Sequence, residues 1–294
     1  MGQITASLVK ELRERTSLGM MECKKALTET DGDLTKAEDL LRVKSGSKAS
    51  KVAGRIAAEG AIAVAISEDR KTGAIVEVNC ETDFVGKDEG FLAFVGGVAE
   101  AVNKTGQTDP EKLVVEAANE SETINEARQA LIMKLGENMS VRRAVRIEAE
   151  GELSFYLHGN RIGVLIDVLN GSPDLGKDLA MHIAATKPVA ISEAEVDPSL
   201  VEREKEIAKA RALESGKPEN IVDKIVEGSV QKYLKEVTLY GQPFVKDDKK
   251  SVKKLLSETQ SSVASFALFV VGEGIEKKVE DFAAEVAAQT GQNT

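Results

Sequence analysis

Tryptophan is absent from this sequence, and cysteine and histidine occur only twice each among its 294 residues. The two cysteines, Cys23 and Cys80, are too few for a disulfide framework, which is usual in a reducing cytoplasm. Neither they nor His158 and His182 have the spacing of a zinc site. No glycine-rich segment ends in the Lys-Ser or Lys-Thr pair of a phosphate-binding loop. The sequence therefore predicts a binding protein that is not an enzyme and has no cofactor or metal.

Long apolar runs and excess positive charge are also missing. No run is long enough to span a bilayer, and the first ten residues contain no apolar signal core. The formal net charge of −10 disfavours a phosphate-binding surface. A hydrophobic fraction of 42% and a charged fraction of 30% fit a globular chain of about two domains. We therefore expect a cytoplasmic protein whose partners are proteins, not nucleic acids or membranes.

Aromatic residues make up only 4% of the chain, so the position of each one is informative. Phe84 lies directly after Asp83 in the polar segment Val78–Val85. This segment follows a strand-like run, residues 74–78, and precedes a helix-like run that begins near Lys87. An aromatic residue on such a loop either folds back into the core or is held out to a partner.

Residues 1–54 are predicted to form a small domain of three short helices, the third capped by Asp33. Such a domain buries little surface, and domains of this kind mostly bind other molecules. The tight turn before the second helix contains Met20 and Met21, which are either core filler or an adaptable contact for a partner. The Lys/Ser/Gly-rich stretch 44–54 is predicted to be a linker or a frayed polar helix.

Residues 55–150 are predicted to form the first half of a core. Alternating apolar residues indicate a hairpin from residue 59 to residue 78, and helical spacing follows in residues 91–102. A further helix begins near Ile124, with Ser121 as its expected cap. The last predicted element of this half is a strand that contains Val141 and Ile147.

The same hairpin-plus-helix pattern returns ninety residues later. Gly73 matches Gly163 and Val78 matches Val168, in a return strand whose intervening residues stay in register. We interpret this as an internal duplication, with the second half of the core in two pieces, 151–190 and 238–272. Each half is predicted to be an antiparallel sheet covered by helices.

The duplication bears on Phe84. A Gly-Lys-Asp sequence follows the matched strand in both copies, and just before it the first copy has Phe84 where the second has Asp174. A residue needed to close the core would be expected to stay large and apolar in both copies. The difference therefore favours Phe84 as a contact residue for a partner.

The second half is interrupted by two charged helices in residues 191–237, joined by a turn around Gly216. A narrow apolar seam predicts a projecting antiparallel coiled-coil hairpin, and a helix pair packed on the core is the alternative. The strand-like run 263–271 is then expected to complete the second sheet. Residues 273–294 are predicted to form a C-terminal helical module, and the fold class is α+β.

Several segments taken together closely resemble the bacterial elongation factor Ts family. The resemblance covers almost the whole chain, although residues 103–123 show no family pattern and residues 246–249 lack an expected proline. It rests on Leu8–Arg13, Gly19–Met21, Ala57–Gly60, Val78–Val85, His158–Gly159, Arg161–Leu165, Gly241–Phe244 and Val271–Glu276.

The resemblance implies a guanine-nucleotide exchange factor that acts on elongation factor Tu in translation elongation. It also implies an N-terminal domain similar to ubiquitin-associated domains, a two-part core, a coiled-coil hairpin and a C-terminal module. The residues it implies for displacing magnesium from the partner are Thr82, Asp83, Phe84 and Val85. The residues it implies for other contacts with the partner are Arg13, Met20, Met21 and His158.

Two other classes of function stay open. One is an adaptor or chaperone-type binding protein that uses the N-terminal helices. The other is a thiol enzyme in which Cys80 is paired with His158, although their spacing gives no support for it. A homodimer and a two-to-two complex with the partner are both compatible with the sequence.

Overall fold

A computed structural model describes residues 4–16, 18–116, 122–216 and 218–276. Helices and antiparallel sheets are mixed, so the fold is α+β. The helices of the described residues are α1 (Ala6–Thr16), α2 (Met20–Glu29), α3 (Leu34–Val52), α4 (Glu89–Thr105), α5 (Pro110–Leu113), α6 (Ile124–Leu135), α7 (Pro173–Thr186), α8 (Pro198–Glu214), α9 (Glu219–Val237) and α10 (Val252–Glu258). The strands are β1 (Glu59–Ile66), β2 (Thr72–Cys80), β3 (Met139–Glu148), β4 (Glu152–His158), β5 (Ile162–Leu169), β6 (Pro243–Phe244), β7 (Asp247–Ser251) and β8 (Ser262–Val270).

The N-terminal helices α1, α2 and α3 pack around a small apolar core of their own, which includes Leu12, Leu27 and Leu41. Asp33 caps α3 as predicted, because its carboxylate accepts a hydrogen bond from the backbone N–H of Lys36 at 3.0 Å. Met133 of α6 packs against this cluster. The three helices are therefore joined directly to the rest of the protein.

The prediction that residues 44–54 form a linker or a frayed helix is wrong. Helix α3 runs without interruption to Val52, and Ala49 and Val52 are buried in the core beside the first sheet. The Lys48 ammonium donates to the backbone carbonyl of Met133 at 2.8 Å. Ser47, Ser50 and Lys51 lie on the solvent side of this helix, whereas Ser45 is buried on its packed side.

The first sheet has the strand order β1-β2-β3, and both pairs are antiparallel. One of its faces is covered by α4 and α6, which bury residues such as Phe91 and Ile132. Helix α6 is capped by Thr123 and not by Ser121, which lies outside the described residues. Thr123 and Glu126 form a reciprocal capping box at the start of that helix.

The second sheet has the strand order β4-β5-β8, again antiparallel. Helix α7 packs on its outer face through Leu179 and Ile183. Strand β8 joins β5 across the long excursion through α8 and α9, as the sequence predicted. His182 is fully buried in α7, where Gln242 and the Val245 backbone bond its ring, so it belongs to the core as expected.

The two sheets pack face to face, a contact that the sequence did not reveal. Ile62 and Ile75 from the first sheet meet Leu153, Leu165 and Phe269 from the second in a single apolar cluster. Strands β2 and β5 are central in their sheets, so each is buried by helices on one side and by the opposite sheet on the other. The layers run helix, sheet, sheet, helix.

The duplication extends to the irregularities of the two central strands. The register shifts between Glu77 and Val78 in the first copy, and between Asp167 and Val168 in the second. These are matched positions, and at each of them the extra residue lies on the edge strand, Arg142 in β3 and Ala264 in β8, opposite the buried acids Glu77 and Asp167. The structure therefore supports the duplication that the sequence predicted.

The two sheets are stacked so that their central strands, β2 and β5, run in opposite directions. The Ile62 backbone N–H in β1 donates to the carbonyl of Asn160, just before β5, at 2.8 Å. At the other end, the Leu153 backbone N–H donates to the Arg70 carbonyl, just before β2. The carboxyl end of β2 therefore lies beside the turn between β4 and β5.

Helices α8 and α9 pack chiefly on each other. Their base contacts the preceding segment through a small cluster that includes Ala190, Val196, Val230 and Leu234. The assignment of this pair as a coiled coil stays a prediction, as do the domain boundaries. The helix predicted within residues 273–294 falls largely outside the described residues.

Glu77 is the buried acid at the first bulge, with a fully buried side chain. Its carboxylate accepts hydrogen bonds from Arg142 at 2.9 Å, from Arg143 at 2.6 Å and from the Gly272 backbone N–H at 2.8 Å. Burial by itself raises the pKa of Glu77, but these three donors outweigh it and lower the pKa below its ordinary value. Because Gly272 follows β8, this cluster links the two sheets.

Replacing Glu77 with Gln should destabilise the protein by about 3 kcal/mol, because two arginines lose their shared partner. Since the folded-state pKa of Glu77 lies below its unfolded value, its contribution is complete at neutral pH. That contribution is lost as the pH falls through the lowered pKa. Urea unfolding of the wild type and Glu77→Gln at pH 7 and pH 4 should show the difference shrinking in acid.

Glu148→Gln is the matched control, because Glu148 is an exposed acid on β3 that pairs with Arg146. Its effect should stay below about 1 kcal/mol at either pH. Equal losses for the two variants would contradict the role given to Glu77.

Candidate functional site

The segment after β2 forms one tight turn that holds Phe84 in solvent. The backbone N–H of Gly86 donates to the carbonyl of Thr82 at 3.2 Å, and a short 3-10 helix, Val85–Lys87, follows. Val85 is buried in the core under the first sheet, whereas Phe84 is 82% exposed. Phe84 is therefore not core filler, in agreement with the duplication argument, and its role as a contact residue stays a prediction. Helix α4 begins at Glu89, two residues later than expected, with Asp88 as its cap.

The base of this turn is held by acidic residues. The Glu137 carboxylate accepts from the Thr82 hydroxyl at 2.5 Å, from the Thr82 backbone N–H at 2.9 Å and from the Glu81 backbone N–H at 3.1 Å. In return, the Glu81 carboxylate accepts from the backbone N–H of Asn138 at 2.6 Å. These bonds join the turn to the loop between α6 and β3.

Asp83 carries the charge next to the exposed ring. Its carboxylate pairs with the Lys87 ammonium at 2.6 Å, one helical turn later. This hydrogen bond, together with the positive charges of Lys87 and Arg161, lowers the pKa of Asp83. Asp83 is therefore ionised at neutral pH, and its charge is paired with that of Lys87.

His158 ends β4 at the same end of the protein as Phe84. The imidazole is exposed, and its Nδ1 lies 3.3 Å from the Tyr156 hydroxyl. Arg161 in the same turn pairs with Glu59 at 2.5 Å, and its charge also acts on Asp83. The structure thus brings together the Phe84 turn and the His158 turn, which are distant in sequence.

The other predicted contact residues lie on the N-terminal helices. Met20 and Met21 are 55% and 66% exposed at the start of α2, so the core-filler interpretation is wrong. Arg13 is exposed on α1. All three belong to the three-helix unit and stand apart from the Phe84 turn.

Sequence reasoning missed the residues that shape the site, namely Glu81, Glu137 and Asn138. Glu137 is far from Thr82 along the chain, and an acid in a polar loop carries no distinguishing pattern. Only a contact across the fold reveals its role.

Cys80 does not have the properties of a catalytic thiol. It is fully buried at the end of β2, and its Sγ donates to the Thr82 carbonyl at 3.2 Å. Burial, together with the nearby acids Glu137 and Glu59, raises the pKa of Cys80 to about 12. A thiol with this pKa is almost entirely protonated at neutral pH, which argues against the thiol-enzyme alternative.

Within the described ranges, no group of three or more Cys, His, Asp or Glu side chains is arranged to hold a metal ion. Across those same ranges, no helix combines the length and the apolar character needed to cross a membrane.

An exposed aromatic ring on a firmly held turn, with charged side chains around it, is compatible with a protein-binding site. The comparisons with known proteins agree with this class. The profile of the family described as Elongation factor TS matches residues 81–273. The chain belongs to the elongation factor Ts family, as the resemblance of its motifs predicted.

Relatives named Elongation factor Ts are similar over the full length of the chain. The protein of Nitrosomonas eutropha is 57% identical over 293 residues, which is 100% of both chains. That of Nitrosospira multiformis is 57% identical over 295 residues, covering 99% of this chain and 98% of the relative. That of Bordetella petrii is 56% identical over 288 residues, covering 98% of each.

The buried state of Cys80 predicts that the native protein resists thiol reagents. At pH 8 the thiol should be at least about a thousandfold less ionised than an exposed cysteine. Alkylation with iodoacetamide, followed by mass spectrometry of the peptide with Cys80, should show slow labelling in the native state and complete labelling in urea. Rapid native labelling of Cys80 would restore the thiol enzyme as a candidate.

Proposed function

We propose that this chain is a guanine-nucleotide exchange factor for elongation factor Tu in translation elongation, and that the Phe84 turn is its active contact. The observation that carries the proposal is the ring of Phe84, exposed on a turn with a fixed base in a chain of this family. Exchange makes or breaks no covalent bond in the nucleotide. The chain is accordingly a binding protein and not an enzyme.

The ring supplies the binding energy. Moving a phenyl side chain from water into an apolar crevice of the partner contributes about 1.5–3 kcal/mol. Little of this is spent on ordering the loop, because Glu137 and Thr82 already fix its base. Val85 is fixed in the core beneath the ring, so the turn can push against the partner without folding away.

The effect on GDP follows from linkage. Magnesium in such a GTPase bridges phosphate oxygens and protein side chains, so shifting the elements around it weakens nucleotide binding. We infer that Phe84 displaces these elements while Asp83 places a carboxylate near them. Thr82 and Val85 keep the two residues in position. The factor and GDP then weaken each other's binding to the same extent.

The remaining proposed contacts enlarge the surface that would bind elongation factor Tu. His158 lies at the end of the sandwich where Phe84 projects, so one partner can meet both turns. Arg13, Met20 and Met21 are assigned a second contact through the N-terminal helices, where the two flexible methionine side chains are exposed.

We also assign the finer architecture on the family resemblance. Residues 1–54 are taken as a domain similar to ubiquitin-associated domains, and α8 with α9 as a coiled-coil hairpin inserted in the core. The mutual packing of α8 and α9 supports the second assignment. A homodimer and a two-to-two complex both stay compatible with it.

An adaptor or chaperone-type role is the second candidate, and the exposed Met20 and Met21 favour it. Affinity capture with the wild-type chain distinguishes the two functions. Recovery of unfolded clients or ubiquitin-like proteins in place of the GTPase would favour the adaptor.

Phe84→Ala should slow factor-stimulated GDP release by about 10- to 100-fold, which corresponds to the burial energy of the ring. The fold should be unchanged, because the side chain makes almost no internal contact. Release of a fluorescent GDP analogue from purified elongation factor Tu, measured by stopped flow at several factor concentrations, tests this directly.

Phe155→Ala is the matched control, since Phe155 is another partly exposed phenylalanine, on β4. The rate of GDP release that this variant stimulates should stay within about twofold of the rate that the wild type stimulates. A wild-type rate for Phe84→Ala would remove Phe84 from the mechanism, whereas no stimulation by the wild type would overturn the exchange function itself.

A further inference from the structure

We propose that Glu137 is a positioning residue for exchange: its carboxylate holds the Phe84 turn in the shape that presents the ring. The inference rests on the proposed exchange function and assigns a role to a side chain outside the predicted site. Glu137 itself lies in the loop between α6 and β3.

The geometry of the carboxylate is the first support. Oε2 accepts both the Glu81 and the Thr82 backbone N–H groups, at 3.1 and 2.9 Å, and Oε1 accepts the Thr82 hydroxyl at 2.5 Å. One side chain thus satisfies three donors at the point where the chain leaves β2.

The position of Thr82 makes these bonds matter for Phe84. The Thr82 carbonyl accepts from Gly86 at 3.2 Å, and its hydroxyl oxygen lies 3.4 Å from the Val85 backbone N–H. Thr82 is therefore the first residue of the turn on which Phe84 sits. Fixing Thr82 fixes the direction in which the ring projects.

The loop that carries Glu137 is itself held in place. Asn138 donates its backbone N–H to Glu81 at 2.6 Å and its side-chain amide to the Arg55 carbonyl at 2.8 Å. Met139, the next residue, is fully buried at the start of β3. The carboxylate of Glu137 therefore acts from a firm base.

The ring cannot hold its own position. Phe84 is 82% exposed, so its own side-chain contacts contribute little to ordering the turn. Without Glu137 the free turn would sample other shapes, and binding would have to order it again. The cost would appear as slower stimulated release at a given factor concentration.

The test compares Glu137→Ala, Glu137→Gln and the control Glu100→Ala, an exposed acid on α4. Gln can place its oxygen toward both backbone N–H groups and its amide toward the Thr82 hydroxyl, so it should rescue the geometry. We expect Glu137→Ala to lower stimulated GDP release about tenfold. Glu137→Gln and Glu100→Ala should stay within about twofold of the wild type.

A double-mutant cycle with Phe84→Ala separates positioning from a general structural role. If Glu137 acts through the ring, Glu137→Ala should cause no further loss in the Phe84→Ala background. Amide hydrogen exchange at Glu81 and Thr82 should be faster in Glu137→Ala and close to wild type in Glu137→Gln. If Glu137→Ala does not fold, Thr82→Val is a milder variant that removes only the hydroxyl donor. We expect Thr82→Val to lower stimulated GDP release about threefold.

Equal losses in the two backgrounds, or a wild-type rate for Glu137→Ala, would overturn the positioning role. Either result would leave the exchange function intact, because that function depends on stimulation by the wild type. Absence of wild-type stimulation would instead refute the proposed function before Glu137 is considered.

Discussion

The apolar contact between the two sheets determines where everything else can lie. It buries Ile62, Ile75 and Leu165 between β2 and β5, strands that helices already cover on their outer faces. Polar groups at this contact must therefore find partners inside the protein. Glu77 meets two arginines and the Gly272 backbone, and Asp167 accepts from the backbone of Glu150 and Gly151.

The reversed stacking of the halves separates the two loops that the duplication makes equivalent. The loop after β2 and the loop after β5 are equivalent in the duplication, yet they fall at opposite ends of the sandwich. Only the first lies beside the turn that contains His158 and Arg161. The equivalent residue in the second copy, Asp174, is simply part of the exposed first turn of α7.

Much of the fold and part of the site could be predicted because the signals are local. The alternation of apolar residues predicted β1, β2 and β5. The difference between Phe84 in the first copy and Asp174 in the second indicated that Phe84 faces outward. The sheet-on-sheet contact was not predictable, because alternation does not tell what covers the second face. The helical spacing of Ser45, Ala49 and Val52 was present in the stretch read as a linker, but its lysines and glycines obscured it. Glu137 meets Thr82 only through tertiary structure.

The same contacts bear on how the proposed binding regions move relative to each other. Asn138 links the loop next to the Phe84 turn to the end of α3, through the carbonyls of Ala53 and Arg55. Helix α3 belongs to the unit that carries Met20 and Met21. Because α3 also packs along α6 through its buried face, the two regions share one continuous support. If one partner binds both regions, as proposed, this shared support holds them in one arrangement before the partner arrives, so no binding energy is needed to bring them together.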